Sequence, residues 1–227
     1  LVADFFSPHQ RARALGAYSF GVPIGSALGI VLGGVIASLI DWRTAFIAVG
    51  IAGIVLAPIF SLIVKEPARG RFDPPAVHTH PARFGEVMRV LIGKRSFWGL
   101  SFGASAASMM GYGMFFWLPS FFVRSHGLTL LEASLYFGAI LLVGGMAGIW
   151  LGGTLADRLG ARGKHYYALI PAVAFLATIP FYVGAVTSSS LAVSFALFLV
   201  PTALGLVWLG PVLSAIQHVV PPHMRAT

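Results

Sequence analysis

The sequence holds 227 residues, 57% of them hydrophobic and only 10% charged, whereas water-soluble domains carry about 25% charged residues. A single aqueous core is therefore excluded, and the lack of cysteine excludes disulfide frameworks, thiolate nucleophiles and zinc knuckles as well. The formal net charge of +8 gives no nucleic-acid signature, because the basic residues stand between apolar runs and form no stripe interleaved with aromatics.

Six charge-free or nearly charge-free stretches follow one another: Leu15 to Ile40, Thr44 to Val64, Ser96 to Val123, Ala133 to Ala156, Tyr166 to Thr187, and Leu191 to about Val220. Each can cross about 30 Å of hydrocarbon as a helix, in which every backbone polar group is satisfied within the segment. Membrane strands are excluded, since these runs far exceed about 10 residues and do not alternate. The expected fold is an all-α membrane protein with six complete transmembrane helices. Arg43 and Arg124 fall on one side, and the other thirteen of the fifteen Lys and Arg fall on the opposite side. By the positive-inside rule that richer side is cytoplasmic, with both chain ends on it, in the cell (inner or plasma) membrane. The sequence opens at Leu1 without Met or a signal-peptide pattern and stops at Thr227, so both ends are expected to be truncations.

In chain order, Ser7-Pro8-His9-Gln10 fits a capping box with Pro8 at the first helical position. Asp4, just before it, can pair with Arg11 or Arg13. The first span carries Gly21, Gly25, Gly29 and Gly33 every four residues, a stripe that lets another backbone come close. Asp41 can cap the second span and Trp42 can anchor it at the interface. From Lys65 to Arg95 the chain concentrates Pro67, Pro74, Pro75 and Pro81 with much of the charge, which reads as a linker. Within it Phe84, Val87, Met88, Leu91 and Ile92 recur at helical spacing opposite Glu86 and Arg89, so a short amphipathic helix is expected on the cytoplasmic surface. The chain thus divides into a two-span part (1–64), the linker (65–95) and a four-span part (96–227).

In the third span Ser105, Met109, Tyr112 and Phe116 fall on one helical face, and Gly111 and Gly113 bracket Tyr112. Gly127 is placed to end that span, and Thr129-Leu130-Leu131-Glu132 fits a second capping box. The fourth span repeats the small-residue stripe as Gly144, Gly148 and Gly152. Bends are expected at Gly111 to Gly113 and at Pro201 to Gly210, as tolerated where backbone is buried in protein or lines a cavity; plain helix packing is the alternative. No Asp, Glu, Lys or Arg lies deep within a span, so the piece holds no coupling charge, and no nucleophile with a His or acid partner marks an enzyme. His218 reads as a packed or interfacial residue. No cofactor or metal site is expected.

The segment Gly153-Thr154-Leu155-Ala156-Asp157-Arg158-Leu159-Gly160-Ala161-Arg162 resembles the GxLaDRxGrr signature of the major facilitator superfamily, in its copy between the eighth and ninth helices. Asp41-Trp42-Arg43 with Phe46 resembles the GWRxxF turn between that family's fifth and sixth helices, with Asp41 in place of the usual Gly. Pro8-His9-Gln10-Arg11-Ala12 recurs as Pro222-His223-Met224-Arg225-Ala226, as two parallel halves would have it. Three further stretches are similar to bacterial members of the spinster family, whose animal relatives export sphingosine phosphate and lysophospholipids. They are Ala12 to Gly34, Gly111 to Gly127, and Leu209 to Pro222.

The resemblance implies an alternating-access transporter, monomeric when full length, whose partners are a small-molecule or lipid-like substrate and the bilayer, with no nucleic acid. It gives Gly153, Asp157, Arg158, Gly160 and Arg162 a gating role, in which charges in a tight turn pair in one conformation and separate in the other; the alternative is a solvated turn of the positive-inside kind. It makes the two striped spans the fifth and eighth helices, which face each other across the halves. A sliding contact between the stripes is then expected, unless each packs inside its own half. It places Ser105, Met109, Tyr112 and Phe116 with Trp208 of the tenth helix on a cavity suited to an amphipathic molecule, unless that stripe is packing. The family's first helix and nearly all of its fourth, which carry its buried ionisable residues, fall outside this sequence. A drug or organic-solute proton antiporter of the same superfamily, or a non-transporting scaffold or receptor on the same fold, is the competing reading.

Overall fold

The computed structural model describes residues 18–63, 84–160, 162–163, 165–209 and 211–212. Their elements are α1 (Gly21–Leu39), α2 (Trp42–Ile63), α3 (Phe84–Ile92), α4 (Arg95–His126), α5 (Leu130–Gly160), α6 (Tyr166–Thr187) and α7 (Leu191–Leu206). No strand occurs among the described residues, and α1, α2, α4, α5 and α6 are long and apolar enough to cross a membrane. The sixth expected span begins as α7, an apolar helix of 16 residues. The expected continuation to Val220, both copies of the five-residue repeat, the Ser7 box, Asp4, His218 and residues 64–83 of the linker lie outside the described residues.

Exposure on α2 argues against water as its surroundings. Phe46, Ile54 and Leu62 are 76%, 74% and 79% exposed, and such contiguous apolar surface far exceeds what an aqueous protein shows water. In hydrocarbon the same surface carries no penalty, so α2 fits the bilayer as its composition requires.

The helix boundaries follow local hydrogen bonding that the sequence announces. Asp41 begins α2: the backbone N–H of Thr44 donates to its Oδ1 at 2.7 Å and the Thr44 hydroxyl donates to its Oδ2 at 3.1 Å. The first of these bonds in particular holds the Asp41 carboxyl below its ordinary range. Next to it the Arg43 guanidinium lies 4.5 Å from the centre of the Trp42 ring, which meets Phe46 edge-on. Between α4 and α5, Gly127 adopts a φ of 68°. That left-handed backbone suits glycine and stops the helix.

The second capping box forms as expected. Glu132 Oε2 accepts from the backbone N–H of Thr129 at 2.9 Å and from its hydroxyl at 2.8 Å, while the Glu132 N–H donates back to Thr129 Oγ1 at 3.3 Å. Because the two side chains serve each other, their losses will not add. Thr129→Ala is expected to cost about 1 kcal/mol, and the Thr129→Ala/Glu132→Ala pair little more than the larger single loss, as read by thermal unfolding in detergent.

Two compact units emerge. One joins the described part of Leu1–Pro75 to Trp117–Leu142, and the other joins the described part of Ala76–Phe116 to Val143–Thr227. In the first, α1 packs on α2, and Phe122, Ala133, Phe137 and Ile140 form the buried interior. In the second, α6 packs on α7, and Ile170, Ala174 and Val207 are buried beneath Leu151, Leu159, Tyr166 and Leu204.

Candidate functional site

The first 22 residues of α4 present two unlike faces, both within the second unit. Met109, Tyr112 and Phe116 are 80%, 77% and 75% exposed, and Ser105 is exposed on the same side. The spacing of three to four residues that suggested a shared face therefore yields one, open and amphipathic. Trp208 is half-buried, and neither it nor Tyr112 stacks on another ring among the described residues. The structure thus brings four of the five expected cavity residues onto one surface.

The opposite face of α4 holds a polar junction that was not anticipated from the sequence. The Tyr182 hydroxyl of α6 donates to Met114 Sδ at 2.8 Å, and the Thr202 hydroxyl of α7 lies 3.8 Å from the same sulfur while donating to the Phe198 carbonyl at 2.8 Å. Tyr182 also meets Phe198 edge-on at 6.2 Å. Nearby, the Ser194 hydroxyl donates to the Ala185 carbonyl at 2.8 Å and is fully buried. A signal was present in Ser194, Phe198 and Thr202, which recur every four residues and are all buried. Polar groups in hydrocarbon need partners, and here the polarizable Met sulfur supplies one that joins three helices.

α4 runs unbroken through Gly111 to Gly113, where a bend was expected. α7 loses regular structure at Val207 and Trp208, six residues past Pro201, with the Val207 N–H reaching the Leu204 carbonyl at 3.3 Å. That interruption falls within the expected stretch from Pro201 to Gly210.

The two glycine stripes have unlike surroundings. A Cβ on Gly144 would meet the Leu199 carbonyl oxygen at 2.9 Å, one on Gly148 would collide with the Ala203 carbonyl, and one on Gly152 with that of Val207. Steps of four on α5 thus match steps of four on α7 in the same direction, so the two helices run parallel with backbones nearly touching. At Gly21, Gly25, Gly29 and Gly33 an added Cβ would find no atom within 4 Å. Where α1 and α5 do meet, the small residue lies elsewhere: a Cβ on Gly34 would strike the Ser134 side chain, and one on Gly138 would crowd Val31 and the Ala27 carbonyl. Both helices carry a four-residue repeat, and the α5 copy is filled by the neighbouring backbone of α7 and the residue after it.

The turn between α5 and α6 places the signature residues. Asp157 and Arg158 are exposed in the last turn of α5, and Arg162 is exposed just beyond it. No ion pair involves any of the three among the described residues. Arg158 suits the negative end of the helix dipole, which Asp157 does not. The turn itself is tight: the N–H groups of Arg162 and Gly163 both reach the Leu159 carbonyl, at 2.9 and 3.3 Å. Gly160 makes room for Tyr167, whose ring atoms would stand 2.6 Å from a Cβ there, whereas Gly153 faces open space. The described residues make a tight corner carrying exposed charges of both signs.

Among the described residues no group of three or more His, Cys, Asp or Glu could hold a metal ion. One buried side-chain nitrogen, His126 Nε2, lacks a hydrogen bond; its ring sits between Phe121 at 5.4 Å and Phe122 at 6.0 Å.

Comparison with known proteins matches this arrangement. The family model described as Major Facilitator Superfamily aligns with residues 1–227. An MFS-type efflux pump of Mycolicibacterium smegmatis is 29% identical over 226 residues, covering 100% of this chain and 52% of that protein. Protein spinster homolog 1 of Homo sapiens is 28% identical over 249 residues, with 100% and 46% covered. The crystal structure of a bacterial homolog to the human lysosomal transporter Spinster, inward-facing and unoccupied, superposes with a TM-score of 0.78 at 29% identity, covering 99% of this chain and 53% of that one. Its inward-facing, occupied counterpart gives 0.73 at 28%, with 99% and 51% covered. The chain spans about half the length of the relatives it matches. With its family model matched from end to end and its helices superposing on solved relatives, the chain is a spinster-like member of the Major Facilitator Superfamily.

Proposed function

We propose that this chain is the central part of a secondary transporter that works by alternating access and exports or exchanges a small amphipathic or lipid-like molecule. The observation that carries this reading is the open α4 face of Ser105, Met109, Tyr112 and Phe116. One hydroxyl, one thioether and two aromatic rings offer apolar area with sparse polar handles, the surface that an amphipathic solute needs and a sugar or inorganic ion does not. Trp208 completes the site by closing over the substrate from the interrupted end of α7. The chain sits in the cell membrane with the α5–α6 turn on the cytoplasmic side, where Gly153, Asp157, Arg158, Gly160 and Arg162 gate the passage.

Vesicles containing the full-length protein test this directly. Tyr112→Ala and Trp208→Ala are each expected to raise the apparent KM for the transported amphiphile about tenfold, the equivalent of about 1.4 kcal/mol, with unchanged protein yield. Unchanged KM in both variants removes these residues from the site. Failure of the wild-type protein to move any amphiphile across the membrane would leave the scaffold reading standing. A second reading, proton-driven antiport of drugs or organic solutes, is favoured by the likeness to a protein named as an efflux pump. It is tested in the same vesicles by imposing a pH gradient.

A further inference from the structure

The corner between α3 and α4 has a composition that gating and substrate binding leave unused. α3 closes with the Gly93 N–H donating to the Arg89 carbonyl at 3.3 Å and the Lys94 N–H to the Leu91 carbonyl at 3.0 Å; α4 opens with the Phe97 N–H donating to the Lys94 carbonyl at 3.0 Å. Across the corner the Trp98 indole N–H donates to the Ile92 carbonyl at 3.1 Å. This bond fastens the short helix to the first turn of a membrane span. The Trp98 ring is flanked by Phe97 and Phe102, with centroids 5.8 and 5.9 Å away.

Only Gly93 and Lys94 separate α3 from α4, whose length and composition carry it across hydrocarbon. α3 therefore cannot leave the lipid boundary. Its exposed Met88 and Ile92, together with exposed Trp98 and Phe102, supply the apolar side that an interfacial helix buries in the acyl region. Arg89 and Arg95 are exposed on the same corner, and neither enters an ion pair among the described residues. Lys94 stands between them, and no acidic residue occurs from Val87 to Leu131. A surface that is apolar toward the acyl chains and cationic at headgroup level complements an anionic phospholipid.

We propose that the corner formed by Arg89, Lys94, Arg95 and Trp98 binds the phosphodiester headgroup of anionic phospholipids. The aromatic cluster sets the depth and the three basic groups select the charge, so the connection after the second span is tied to the bilayer through lipid as well as through α4. Each basic group near an anionic surface contributes a factor of about five in preference, and the three together a factor on the order of a hundred.

Native mass spectrometry of the full-length protein, equilibrated with equal amounts of phosphatidylglycerol and phosphatidylcholine, tests the assignment. Wild type is expected to retain phosphatidylglycerol preferentially, and Arg89→Gln/Lys94→Gln/Arg95→Gln to lose at least tenfold of that preference. The charge-preserving Arg89→Lys/Lys94→Arg/Arg95→Lys variant is expected to keep it, which separates loss of charge from loss of fold. Retention in the Gln variant equal to wild type would overturn the proposal. So would loss in the charge-preserving variant, or displacement of the lipid by millimolar inorganic phosphate, which would mark a site for the free anion.

Discussion

Gly148→Ala is expected to destabilise the folded protein by about 2–3 kcal/mol, and Gly148→Leu to leave no folded protein, when thermal unfolding and recovery are measured in detergent. The added methyl would occupy the place of the Ala203 carbonyl, with the Ala203 carbonyl carbon and Cα within 3.0 Å of it. These are backbone atoms, so no rotamer change relieves the overlap and α5 and α7 must separate along their length. Separation strips contacts from Gly144 and Gly152 too, since they meet the carbonyls of Leu199 in α7 and of Val207 just past its end in the same register. Dispersion falls off steeply with distance, and helix association in lipid depends on such close packing. Gly25→Ala supplies the contrast. With nothing within 4 Å of its Cβ position, it is expected to leave the unfolding midpoint unchanged. A loss at Gly25 as large as at Gly148 would show that a further helix covers the first stripe as well.

Asp157→Asn is expected to change stability by less than about 0.5 kcal/mol, as exposed substitutions without partners do, yet to slow transport by a factor on the order of ten to one hundred, the range of typical coupling energies. The divergence is the informative part. Asp157 is exposed and enters no ion pair among the described residues, so no described partner holds its charge. A carboxylate that contributes only when a neighbouring helix end approaches stabilises one conformation over the other, and removing it shifts the balance between them. Unfolding in detergent and substrate flux in vesicles, measured on the same preparation, check both halves. Equal proportional losses in stability and flux would make Asp157 an ordinary structural residue. Unchanged flux would assign the turn to topology alone.

Local features were legible in advance because their causes lie within a few residues. The reciprocal bonds of Thr129 and Glu132, the cap at Asp41 and the left-handed Gly127 each follow from side chains or φ preferences three residues apart or fewer. The amphipathic helix Phe84–Ile92 formed where its periodicity placed it. The signature turn was readable as wording, and its tightness reflects the room Gly160 leaves for Tyr167 and the two N–H groups on the Leu159 carbonyl. The Tyr182–Met114–Thr202 junction was not readable, because its members are 68 and 88 residues apart in sequence, and methionine announces no polar role in a hydrophobic run.

By itself the sequence determined that the chain is an all-helical membrane protein and where several of its helices are capped. Hydropathy, capping and charge act segment by segment, and the bilayer reads them in one dimension. Only the tertiary structure decided which backbone fills which small-residue stripe. Gly21 to Gly33 and Gly144 to Gly152 share one spacing, and spacing fixes a face without fixing the direction in which that face points. The rotation of each helix about its axis is set by packing against its neighbours, and that packing gave the α5 stripe to α7 and brought α1 to Gly138 and Ser134.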